Sequence, residues 1–153
     1  MKTLLISAVT ALSLATAAQA GLPSSFNLGD GNSSALIGLG GNTAGMTNWL
    51  VDDVDRLALQ GFWFRTSFMD REQNVGTLGV VNAISTDTNP FADTRNDTAS
   101  VRYVGQNGAS GGSFFIDTTW TIRGSTAGSG RADMSETIVI TNNSTFLPLT
   151  ISF

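Results

Sequence analysis

There is no cysteine and no histidine among the 153 residues, and the only lysine is Lys2. Without cysteine no disulfide can staple the fold, so core burial and backbone hydrogen bonds must hold it. Without histidine or cysteine, the Ser-His-Asp and Cys-His nucleophile arrangements and the usual zinc sites are excluded. Positive charge is scarce: beyond Lys2 the cations are seven arginines, set against 12 carboxylates, and they form no cluster. A chain of this balance lacks the electrostatic footprint that nucleic acid or anionic lipid would need, so nucleic-acid binding is not expected. No apolar run reaches the roughly 20 residues that cross a bilayer as a helix.

The longest such run, residues 4–15, is rich in Leu and Ala, follows Lys2 and precedes Ala18-Gln19-Ala20. A basic start, a short apolar stretch and small residues at the cleavage positions describe a secretory signal peptide over 1–20, cut between Ala20 and Gly21. Cleavage leaves 133 residues with a net charge of −5 and no membrane-spanning segment. That length suits one domain with a real core. Four Asn-X-Ser/Thr triplets begin at Asn32, Asn96, Asn142 and Asn143. They are what chance supplies in a chain rich in these residues.

Residues 21–47, rich in Gly, Asn and Ser, read as a loose leader or irregular segment, with 35–39 as an alternative short first strand. Residues 48–153 read as strands. Over 56–66, Leu57, Leu59, Gly61 and Trp63 alternate with Ala58, Gln60, Phe62 and Phe64, so both faces are apolar and a strand buried on both sides is predicted. Asp52, Asp53 and Asp55 precede it as a turn or strand edge. Further strands are expected over 78–84 and 99–104. The clearest period of two follows, with Phe114, Ile116, Thr118, Trp120 and Ile122 on one face. Met134, Glu136, Ile138 and Ile140 repeat the pattern, and Asn142-Asn143-Ser144 closes a predicted hairpin to a last strand carrying Leu147, Leu149, Ile151 and Phe153. The fold class is therefore all-β, an antiparallel β-sandwich or jelly roll. An apolar strand running to the last residue predicts a fold incomplete at its C-terminus.

The blocks Val54-Asp55-Arg56-Leu57, Gly61-Phe62-Trp63-Phe64-Arg65, Asp93-Thr94-Arg95, Ser100-Val101-Arg102-Tyr103 and the Gly-rich stretch before Asp133-Met134-Ser135-Glu136-Thr137-Ile138 resemble exported bacterial proteins of the PEP-CTERM sorting class. The likeness spans roughly residues 49–153. It implies export in a Gram-negative, exopolysaccharide-producing bacterium and a surface or matrix role, and it transfers no active site. The Pro-Glu-Pro tail, apolar helix and basic end of that class are not in this sequence.

Among hydrolytic mechanisms, paired carboxylates remain, since glycosidases work with two of them about 5–10 Å apart. Asp117, Asp133 and Glu136 are the candidates, each read first as an exposed strand or loop carboxylate. Asp87, Asn89, Asp93 and Asp97 crowd one polar loop with the oxygen ligands that Ca²⁺ prefers, but their spacing is not that of an EF-hand, and turn formation beside Pro90 is the favoured reading, so no metal or other cofactor is expected and Ca²⁺ is the weaker alternative. Residues 124–130 lack the Gly-Lys-Ser/Thr ending of a phosphate loop. Trp49, Trp63 and Trp120 are able to stack on sugar rings; Trp63 and Trp120 are expected in the core, and Trp49 is the least committed. The reading is a non-enzymatic exported protein, secreted to the periplasm, cell surface or medium, associated with polysaccharide or cell-surface components. The alternative is a carboxylate-based polysaccharide hydrolase or lyase.

Overall fold

A computed structural model describes residues 21–90, 92–106, 112–144 and 148–153. The predicted signal peptide and its cleavage position at Ala20 fall outside those residues or at their margin. The chain is all-β and antiparallel. Strands β1 (Ser25–Asp30), β2 (Ser33–Gly38), β3 (Gly45–Val51) and β4 (Val54–Leu57) form a four-stranded meander. After β5 (Trp63–Thr66) and β6 (Gln73–Asn74) come β7 (Gly79–Thr86), β8 (Thr98–Gln106), β9 (Ser113–Arg123) and β10 (Asp133–Asn142), a second sheet in the order β10-β9-β8-β7. The short β11 (Ile151–Ser152) pairs with β5, which pairs with β6, closing a third small sheet.

Alternation sets the core. Along β9 every even-numbered residue from Phe114 to Ile122 is buried while the odd ones are partly exposed. Ala99, Val101 and Tyr103 of β8 continue that face, and Leu28, Ala35, Ile37 and Met46 meet it from the first sheet in one apolar cluster with Phe64 and Val75. Phe62 stacks on Trp120 at 6.3 Å, and Phe64 packs edge-on to Phe114 at 5.9 Å. The result is a β-sandwich with a mainly apolar interior, the outcome that strict period-two strands favour.

Three expectations need correcting. The segment 21–47 is not a loose leader, because β1 and β2 pair along their whole length and Ile37 is fully buried. The buried positions of β2 alternate through Ser33, Ala35 and Ile37, and a serine fills the first of them. The predicted strand over 56–66 is broken: β4 is mostly exposed, β5 buries only Phe64 and Thr66, and between them Gln60 alone bridges to Met46. Finally, the end of the chain does not fold back on β10, since β11 lies beside β5.

The β3–β4 turn holds a local cost. Val51 pairs with Val54, so Asp52 and Asp53 form a two-residue turn with φ of 51° and 61°. Left-handed backbone at both positions normally selects Asn-Gly. Here the Asp52 carboxylate offsets the strain by accepting the Gly128 and Gly130 amides at 2.6 and 2.7 Å and the Asn32 amide at 2.9 Å. Those backbone bonds hold the Asp52 carboxyl below its ordinary titration range.

Candidate functional site

The four oxygen-rich residues of the 87–97 loop do not converge on a vacant centre. Asp87 accepts the Asn89 amide, and Asn89 in turn donates to the buried Asp30. Asp93 accepts from Gly31 and Arg95, while Arg95 also donates to the Gly31 carbonyl. Asp97 is wholly buried and takes hydrogen bonds from Thr88, Thr98 and Arg123. Asp93 thus ties the 87–97 loop to the β1–β2 turn and Asp97 ties it to β9, while Asp87 closes a turn within the loop. No group of three or more acidic side chains suited to a metal occurs among the described residues.

The three candidate catalytic carboxylates are also apart. Asp117 lies on the outer face of β9, paired through both oxygens with Arg102, whose guanidinium sits 5.1 Å from the Phe115 ring. Asp133 faces Arg123 in the strand register, six residues further along β9, which is about 20 Å at ~3.3 Å per residue. Glu136 is on the opposite face, registered with the buried Trp120 and half-buried between the sheets. Asp117 and Asp133 are thus farther apart than glycoside hydrolysis requires, and Glu136 does not share a face with either.

Glu136 is nevertheless unusual. Burial pushes its carboxyl up to about 7, against the pull of nearby Trp120 and Gln60. Gln60 Nε2 donates to Glu136 Oε2 at 2.6 Å. The Trp120 indole N–H lies near enough to influence the acid without making a hydrogen bond of ordinary geometry.

The tryptophans divide. Trp120 is fully buried, as expected. Trp49 is committed to the first sheet, its indole N–H donating to Ser33 Oγ at 2.8 Å. Trp63 is 55% exposed, contrary to its predicted core position, because β5 turns Phe64 inward and Trp63 and Arg65 outward. It lines an open groove of about 500 Å³ with Asn42, Arg71, Glu72, Gln73, Asn74 and Thr77. No family model, curated protein or solved structure matches the chain.

Local chemistry makes the groove's walls firm. Asn74 Oδ1 caps the 3-10 turn Val75–Thr77 by accepting the Gly76 amide at 2.8 Å, and Thr77 Oγ1 donates to the Asn74 carbonyl at 2.8 Å. Gly76 allows the turn Gly41–Thr43, which carries Asn42, to pack against it: a Cβ there would lie 2.1 Å from the Gly41 carbonyl oxygen. Comparable grooves beside Asp52, Arg131 and Arg102 carry no aromatic side chain. Sequence reasoning missed Trp63 because Phe62 and Phe64 flank it, so the triplet looks apolar on both faces. Gln73 and Asn74, ten residues downstream, gave no motif; pairing of β6 with β5 brings them there.

Proposed function

We propose that this is a non-enzymatic exported β-sandwich that binds polysaccharide through the Trp63 groove, in a cell-surface or matrix role. The observation that carries the reading is the exposed indole of Trp63 set among side chains that both donate and accept hydrogen bonds. A sugar ring has an apolar face that suits an indole and a rim of hydroxyls that suits Arg71, Glu72, Gln73 and Asn42. The separation of Asp117, Asp133 and Glu136 supports binding over turnover.

The test is affinity electrophoresis against a panel of bacterial and plant polysaccharides. Trp63→Ala is expected to weaken retention about tenfold, the equivalent of ~1.4 kcal/mol, with stability changed by less than about 1 kcal/mol because the side chain is largely solvated. Equal retention of wild type and variant would sink the groove as the site. Release of reducing or unsaturated ends from any polysaccharide would instead establish the hydrolase or lyase alternative.

The export half of the proposal rests on Ala18 and Ala20, small residues ahead of Gly21. Mass spectrometry of the protein produced in a Gram-negative host is expected to show a chain starting at Gly21. A start at Met1 on the released protein refutes cleavage there.

A further inference from the structure

At the seam between β10 and residues 58–62, two buried oxygens have no hydrogen-bond partner: Gln60 Oε1 and Glu136 Oε1. They belong to the two side chains already joined by the 2.6 Å bond from Gln60 Nε2 to Glu136 Oε2. Two acceptors left unpaired in one buried pair is a costly arrangement, because each forfeits its bond to water. A carboxylic acid and a primary amide remove that cost together. They pair through two hydrogen bonds in one ring, amide N–H to the carboxyl oxygen and carboxyl O–H to the amide oxygen. The first is in place, and a single proton on Glu136 Oε1 supplies the donor for the second.

We propose that Glu136 is held as a neutral acid in a two-bond clasp with Gln60, fastening edge strand β10 to the 58–62 segment, and that ionisation opens the clasp. Burial among apolar groups favours the neutral form and outweighs the opposing pull of the Trp120 indole N–H and Gln60. Trp120 faces Glu136 from β9, Phe62 stacks on Trp120, and Met134 and Ile138 flank it along β10, packed against the core. No charged group among the described residues contributes to the shift of its titration to about 7. In the ionised state the Gln60 N–H bond and the pull of the neighbouring Trp120 indole N–H survive, and the Gln60 oxygen has no donor. The clasp is also the side-chain tie that spans from β10 to Gln60, whose backbone N–H bonds the Met46 carbonyl of the first sheet at 2.7 Å. Its opening therefore loosens one margin of the sandwich and leaves the core intact.

The sign follows from linkage. The folded-state titration point lies above the ordinary carboxylate value, so the clasp's stabilising contribution is fully present below about pH 4.3. Its contribution is lost as pH rises through about 7.

Two measurements on the whole exported chain decide it. The Glu136 side-chain carboxyl, followed by carbon NMR in the wild-type protein, is expected to titrate near 7; a midpoint in the ordinary range near 4.3 overturns the proposal. Amide hydrogen exchange, corrected for its intrinsic pH dependence, is expected to show β10 and residues 58–62 losing about tenfold protection between pH 5.5 and 8. Glu136→Gln keeps both hydrogen bonds as an amide–amide pair and does not titrate, so its protection should be independent of pH. The same pH-dependent loss in Glu136→Gln would also overturn the clasp.

Discussion

Replacing Trp120 with alanine is expected to lower the stability of the domain by about 3–5 kcal/mol, the range for deleting a buried large aromatic. The indole is wholly buried in β9, and its cross-strand neighbours are Ala99 on one side and Glu136 on the other. Ala99 is too small to refill the space, and Glu136 cannot do so without drawing its carboxyl deeper into an apolar site. Phe62, stacked on the indole, would lose its partner as well. Collapse around the vacated volume is therefore limited, which puts the loss in the upper part of that range. Domains of this size have about 5–15 kcal/mol in total, so the variant is expected to be partly unfolded at moderate denaturant. Trp120→Phe, which keeps a ring against Phe62, should recover more than half the loss. A denaturant midpoint unchanged in Trp120→Ala would show that the side chain is not packed as described.

The same strand shows how far the amino-acid pattern reaches. β8, β9 and β10 were legible because inward and outward residues alternate along all of β9 and much of β8 and β10, and Gly- and Asn-rich stretches bound them. The first sheet was obscured for a physical reason: β1 and β2 are short, and they bury Ser33 and Asp30 alongside Leu28 and Ile37. Hydrogen bonds from Trp49 to Ser33 and from Gly124 to Asp30 make those polar residues tolerable inside, and no local pattern announces them. Glycines that looked like linker are places of close approach. A Cβ on Gly38 would lie 2.0 Å from the Thr43 carbonyl oxygen, and Gly45 has φ of 121° beside the Gln60 carbonyl. Trp63 failed for the opposite reason, since an aromatic triplet reads as core although a strand must send its middle member outward.

The acidic loop shows a third kind of limit. Four oxygen-bearing residues within eleven positions suggest a cation site when only their spacing is known. The structure answers Asp93 with the Gly31 amide and Asp97 with Arg123, 26 residues beyond it, while Asp87 accepts only from Asn89 within the loop. Long-range pairing of this kind leaves no local trace. Arginine supplies the positive charge beside two of these carboxylates, Arg95 at Asp93 and Arg123 at Asp97.

Asp97 is accordingly where the second large effect is expected. Asp97→Ala should cost about 2–4 kcal/mol, a little below the 3–5 kcal/mol seen when one member of a fully buried ion pair is removed. The carboxylate has no exposed surface, while Arg123 is 42% exposed and can turn toward water once released. What cannot be recovered is the set of donors that converge on Asp97: the Thr88 amide at 3.1 Å, the Thr88 hydroxyl at 2.9 Å and the Thr98 hydroxyl at 2.8 Å. The backbone of the residue is also a junction, its N–H bonding the Thr86 carbonyl and its own carbonyl accepting the Ile122 amide. Loss of the side chain should therefore loosen the end of β7 where it pairs with β8, and the link from there to Arg123 of β9. The pH dependence has a definite sign. Burial alone raises the Asp97 titration point, but the bonds from Thr98, Thr88 and Arg123 outweigh it and hold the carboxyl below its ordinary value of 3.8. Its contribution is present above that value and is lost as pH falls through the folded-state titration point. Wild-type stability should therefore decline below about pH 4, and Asp97→Asn, which keeps the shape but not the charge, should show a shallower decline. Chemical denaturation from pH 2.5 to 6 measures both. Parallel acid limbs for wild type and Asp97→Asn would show that Asp97 is not the carboxylate responsible.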